Sequence, residues 1–101
     1  MLGDILGALT DAASAEEVLA AIANPGVVER VRRGAAAEGV GVGSFVASTV
    51  RQMLDYAEED VWLEILGRMS GSPRPAVAAL EAMLLRAFPE PVAARVIRRR
   101  S

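Results

Sequence analysis

The first apolar stripe in the chain is Leu2, Ile5, Leu6 and Leu9, spaced i, i+3, i+4, i+7. That spacing predicts a short helix within residues 1–11. Gly3 and Gly7 weaken it, so it should form only by docking on another surface. Ser14-Ala15-Glu16-Glu17 has the form of a capping box. Its hydroxyl would accept from the Glu17 amide, and the Glu17 carboxylate would reach back to the Ser14 amide. The helix it opens carries Val18, Leu19 and Ile22 on one face and stops before Pro25, because the residue preceding a proline is pushed out of the helical region.

Asn24 and Pro25 suit the cap and first position of the next helix. There Val27, Val28, Val31 and Ala35 point inward, while Glu29, Arg30, Arg32 and Arg33 point outward. Gly39 fits the left-handed position just past its end. Gly39-Val40-Gly41-Val42-Gly43 reads as a flexible connector. A clean stripe follows in Val42, Phe45, Val46, Thr49, Val50, Met53, Leu54 and Ala57, with Ser48, Arg51, Gln52 and Asp55 turned away.

Glu58, Glu59 and Asp60 put negative charge where a helix start favours it. Val61, Trp62, Ile65, Leu66 and Met69 continue the core spacing, with Trp62 as an expected core anchor. Ser72 and Pro73 read as a second cap and first position, ahead of Val77, Leu80, Met83, Leu84 and Ala87. No segment alternates with period two, so no sheet is expected. The pattern predicts one all-α domain over residues 1–101, a compact bundle of four to five short helices. Its core would come mainly from hairpins over 25–57 and 59–88, and residues 92–101 would form a basic tail.

Composition removes whole classes of chemistry. Cysteine and histidine are absent, so disulfides, thiol nucleophiles, histidine-based triads and the usual zinc, copper and haem ligands are excluded. The remaining acid–base candidates are carboxylates. Glu58, Glu59 and Asp60 are consecutive and would diverge on a helix, and Glu16 and Glu17 are explained by capping. No catalytic, metal or cofactor site is expected, and the chain is read as non-enzymatic. All eleven basic residues are arginine, which fits a GC-rich, bacterial-type coding bias. The net charge of −2 argues against a nucleic-acid-binding surface spread over the whole domain.

The uncharged run from Gly39 to Val50 is far short of the about 20 apolar residues that a membrane span needs. With Asp4 ahead of any basic residue, no secretory leader is expected, and the default compartment is the cytoplasm. The alternating glycines at 39, 41 and 43 do not match a phosphate loop: no strand precedes them, and position 44 is serine.

The stretch from Val31 to Leu54 has a helix ending in Glu38-Gly39, a short turn, and a second helix opening on the aromatic–valine pair Phe45-Val46. It resembles the helical hairpin of ribbon-helix-helix repressors, over about a quarter of the chain. The alternative expectation is a DNA-binding regulator that uses the outward side of the 25–57 hairpin, with Arg30, Arg33, Arg51 and Gln52 as contacts. The family's β-ribbon would fall on Ala20 to Pro25, where a helical pattern and a proline stand instead. A helix-turn-helix match is also partial: Ala35 and Gly39 are suitably separated, but Glu38 and Ser48 replace apolar positions.

Leu63 and Leu85 lie off their stripes. With Leu2, Ile5, Leu6 and Leu9 they make more apolar surface than one small bundle should cover. The expected function is therefore a non-catalytic protein-interaction module, either self-associating or an accessory subunit or adaptor, with those six residues as candidate contacts. The Arg98–Arg100 run is read as an ordinary basic terminus.

Overall fold

The computed structural model describes residues 2–89 and is entirely helical over them. Six helices follow one another: α1 (Leu2–Leu9), α2 (Ala12–Ala20), α3 (Pro25–Glu38), α4 (Val42–Tyr56), α5 (Glu59–Ser70) and α6 (Pro75–Ala87). The all-α expectation holds, and the count exceeds the expected four to five. The helix expected within residues 1–11 is α1, and it packs against α2, α4 and α6 despite its two glycines.

Local chemistry sets each boundary. Thr10 and Asp11 close α1 through amide bonds to Leu6 and Ala8. Asp11 then caps α2, its Oδ2 accepting from the Ser14 amide at 3.0 Å. The expected box at Ser14 is thus displaced by an aspartate three residues upstream, and the helix starts earlier. Asn24 caps α3 as its sequence suggested, with Oδ1 accepting from the Val27 amide at 3.2 Å and Pro25 in the first turn. Gly39 takes the left-handed conformation, φ 69°. Its amide bonds the Ala36 carbonyl while that of Val40 bonds Ala35, the paired arrangement that ends many helices at glycine. At the last boundary, Pro75 and not Pro73 occupies the first turn, and the Ser72 hydroxyl accepts from the Arg74 amide.

Two of the glycines contribute to packing. Gly43 lies inside α4 and is buried, so it does not extend the connector. A Cβ there would collide with the Ala12 carbonyl, which allows α4 to lie close along the start of α2. Gly34 on α3 leaves room for the Phe45 ring, since a Cβ would stand 2.5 Å from its Cζ. Phe45 in turn meets Phe88 with ring centroids 5.7 Å apart and planes inclined by 35°, and the Arg30 Nε donates to the Phe88 carbonyl at 2.8 Å. These contacts tie α3, α4 and the end of α6 into one corner.

Helix α6 touches all five of the others. Its expected stripe is widened by Ala79 and Ala82, both buried, while Ala87 is exposed. Ala79, Ala82 and Arg86 share a face at helical spacing, and Arg86 reaches Asp60 and Glu64 on α5. Small side chains on the face that Arg86 shares suit a close approach of α5 to α6. The described core is apolar throughout: no polar or charged residue is fully buried in it.

Helix α5 leans chiefly on α6, and only Ile65 in it is fully buried. Trp62 is half-buried, packed on the core from its edge. Complete truncation of a buried aromatic costs about 3–5 kcal/mol, and roughly half of that is expected here. A denaturant melt of Trp62→Ala should therefore show a loss of about 2 kcal/mol. A loss above about 4 kcal/mol would mean the side chain is a full core anchor after all.

Candidate interaction surfaces

The six apolar residues read as partner contacts fall into different environments. Leu9 is fully buried, Leu2, Ile5, Leu6 and Leu85 are half-buried, and Leu63 is 62% exposed. Ile5, Leu6 and Leu85 pack against the core. Ile5, Leu6 and Leu9 of the α1 stripe thus close the chain's own core, leaving Leu63 as the most solvent-facing member of the set.

Three further large apolar side chains that the sequence did not single out are exposed among the described residues: Leu66 at 42%, Val40 at 45% and Tyr56 at 83%. Leu66 sits three residues after Leu63 on α5 and extends its apolar flank. The period alone placed Leu66 in the core, because a full stripe was assumed to be covered. With α6 as its main support, α5 buries a narrower arc than that.

Two concavities stand out among the described residues. The larger, about 370 Å³, lies between the end of α4, the start of α5 and the end of α6, and is lined by Gln52, Met53, Tyr56, Ala57, Val61, Arg86 and Ala87. The smaller, about 150 Å³, involves Glu16, Leu19, Val28, Arg32 and Val42. No protein-family model matches the chain, and neither do any of the curated proteins or solved structures.

The residues expected to touch DNA are engaged within the chain or dispersed. Arg30 holds the Phe88 carbonyl, and Arg33 pairs with Glu29 at 3.3 Å one turn earlier on α3. Arg51 donates to the Thr10 carbonyl at 2.7 Å, fastening the α1–α2 corner. Gln52 faces the larger groove. The basic run Arg98–Arg100 lies outside the described residues.

Carboxylates do similar structural work. Asp60 and Glu64 flank Arg86 at 3.3 and 3.8 Å, and Glu81 accepts from the Asn24 amide group at 3.4 Å. Among the described residues, no three acidic side chains converge as metal ligands would. Asp11 has its carboxyl held below the usual aspartate range, first by the Ser14 backbone amide, then by the Ser14 hydroxyl, with the Arg51 charge adding to them. A depressed folded-state pKa stabilises the fold above the unfolded value, and that contribution is lost as pH falls through the folded one. The stability gap between the native chain and Asp11→Ala should therefore be widest near neutrality and narrow below about pH 4. Chemical melts at stepped pH measure it, and a gap that widened in acid would contradict this account of the cap.

Proposed function

We propose that this chain is a non-catalytic protein-interaction module, acting in the cytoplasm either by self-association or as an accessory subunit or adaptor of a larger protein. The observation that carries the reading is the outward flank of α5. Leu63 and Leu66, one helical turn apart, expose most of one leucine and nearly half of the other on a helix supported chiefly from one side. A single exposed leucine is ordinary, whereas two adjacent ones on a thinly supported helix make a surface that gains from being covered. No helix among the described residues is long and apolar enough to cross a membrane, which is compatible with a water-facing module.

The test is the mass in solution by light scattering across a concentration series, together with capture of partners from native extract. Leu63→Ser/Leu66→Ser is compared with the native chain in both measurements. A mass above the monomer, or a captured protein, that is lost in the double variant supports the reading. A strict monomer that captures nothing above background ends it.

A further inference from the structure

The groove at the α4–α5 corner combines three features of different origin. Its floor is apolar, built from Met53, Ala57, Val61 and Ala87. At its edge stands Tyr56, 83% exposed, a large aromatic surface left in water at the end of a helix. Around that edge the sequence places Asp55, Glu58, Glu59, Asp60 and Glu64, all exposed. Arg86 is the one basic residue in the lining, and Asp60 and Glu64 already flank it. The carbonyl end of α4 adds negative potential at the same corner.

We propose that this groove docks a basic segment of a partner protein, one that inserts an apolar side chain flanked by arginines or lysines. The proposal rests on the interaction-module reading and gives that module a specific surface and a specific partner chemistry. The groove, about 370 Å³ in volume, has room for one large side chain on its apolar floor. The acidic rim selects for a cationic occupant by complementarity and repels nucleic acid and anionic lipid surfaces. The exposed Tyr56 ring offers a face on which a guanidinium stacks, with the exposed carboxylates of Asp55, Glu58 and Glu59 close by in the chain. Aromatic side chains flanked by complementary charge are also where interface binding energy concentrates.

The test uses the full chain and three short fluorescein-labelled peptides of equal length, followed by polarisation. One peptide carries arginines around a central tryptophan, the second replaces arginine by glutamate, and the third replaces tryptophan by alanine. The first should bind, more weakly as salt rises, and the second should not bind. The third should bind about tenfold more weakly or worse, as should the first peptide to Tyr56→Ala, because the apolar and cation–π contacts are lost. Tyr56 is exposed enough for that variant to keep its fold, and Glu58→Gln/Glu59→Gln supplies an independent loss by charge. Glu38→Gln, which alters an exposed carboxylate at the end of α3 beside the start of α4, should bind the first peptide as the native chain does. Equal binding of the first and third peptides, or binding indifferent to Tyr56→Ala, would reduce the effect to unspecific charge attraction and overturn the proposal. So would absence of peptide binding, or a Tyr56→Ala change in the protein's own mass without peptide binding, which would identify a second copy as the occupant. If peptides fail while the α5 leucines still govern mass or capture, only the groove proposal falls; failure of both measurements removes the module reading as well.

Discussion

Replacing Gly43 by alanine is expected to destabilise the fold by about 3 kcal/mol, the upper end of what overpacking usually costs. The new methyl group would run into the Ala12 carbonyl oxygen, with the Ala12 carbonyl carbon and the Glu16 Cβ close behind. A backbone carbonyl in the first turn of α2 cannot rotate aside. Relief requires α2 and α4, the most extensively packed helix pair, to separate. Gly34→Ala makes a useful comparison, because the obstacle there is the Phe45 ring, a side chain that can tilt. Its cost should be smaller. Gly67 lies mid-helix in α5 with nothing within 4 Å of a Cβ, so Gly67→Ala should instead stabilise by about 0.5–1 kcal/mol through helix propensity alone. Denaturant midpoints of the three variants, at unchanged slope, would rank Gly67→Ala above native, then Gly34→Ala, then Gly43→Ala. If Gly43→Ala melted with Gly67→Ala, the close approach of α2 and α4 would be wrong.

These glycines also show how far the sequence is legible. The cap at Asn24, the left-handed Gly39 and the long α4 stripe depend on neighbours within a few residues, and all three follow from local chemistry. Gly43 does not. Its role is set by a carbonyl thirty-one positions earlier, and three alternating glycines look like a connector when only the local pattern is read. The start of α2 is a second case: Asp11 and Ser14 are both competent caps by local chemistry, and the fold uses the aspartate. The same limit explains Leu66 and Tyr56. Periodicity says which residues share a helical face but not how much of that face a neighbour covers. Leu63 was visible as a misfit within its own helix, whereas the α4–α5 groove depends on where α6 ends.

Helix α6 gives the fold its economy of parts. Its Ala79, Leu80, Ala82, Met83 and Leu84 are all buried, and it packs against α5 as well as the other four helices. One helix thus serves two layers, and the outer layer is left with an uncovered flank. The exposure of Leu63 and Leu66 is in this sense a product of the architecture: α5 has one main neighbour, and a helix so placed buries only the arc facing it. The uncovered flank and the thin local support come from the same arrangement.

Leu9→Ala is the other substitution expected to have a large effect, and its outcome separates two roles for the first helix. In the sequence the Leu2, Ile5, Leu6 and Leu9 stripe has the look of a detachable partner-binding element. In the fold Leu9 has no exposed surface, and α1 reaches α2, α4 and α6. Removing a fully buried leucine costs about 2–5 kcal/mol, from lost transfer energy and from the cavity left behind. The site is rigid on one side, because the Thr10 hydroxyl bonds back to the Leu6 and Gly7 carbonyls and Arg51 holds the Thr10 carbonyl. Collapse into the cavity is therefore limited, and a cost of about 3–4 kcal/mol is expected. Leu63→Ala, at an exposed position, should stay within about 0.5 kcal/mol of native. Denaturant melts of the two variants, with mass measured in parallel, make the distinction directly. A core role predicts that Leu9→Ala loses stability at every protein concentration, since no second molecule is involved. If its loss appeared only where the native chain self-associates, Leu9 would be stabilised by a partner and α1 would be the interface instead.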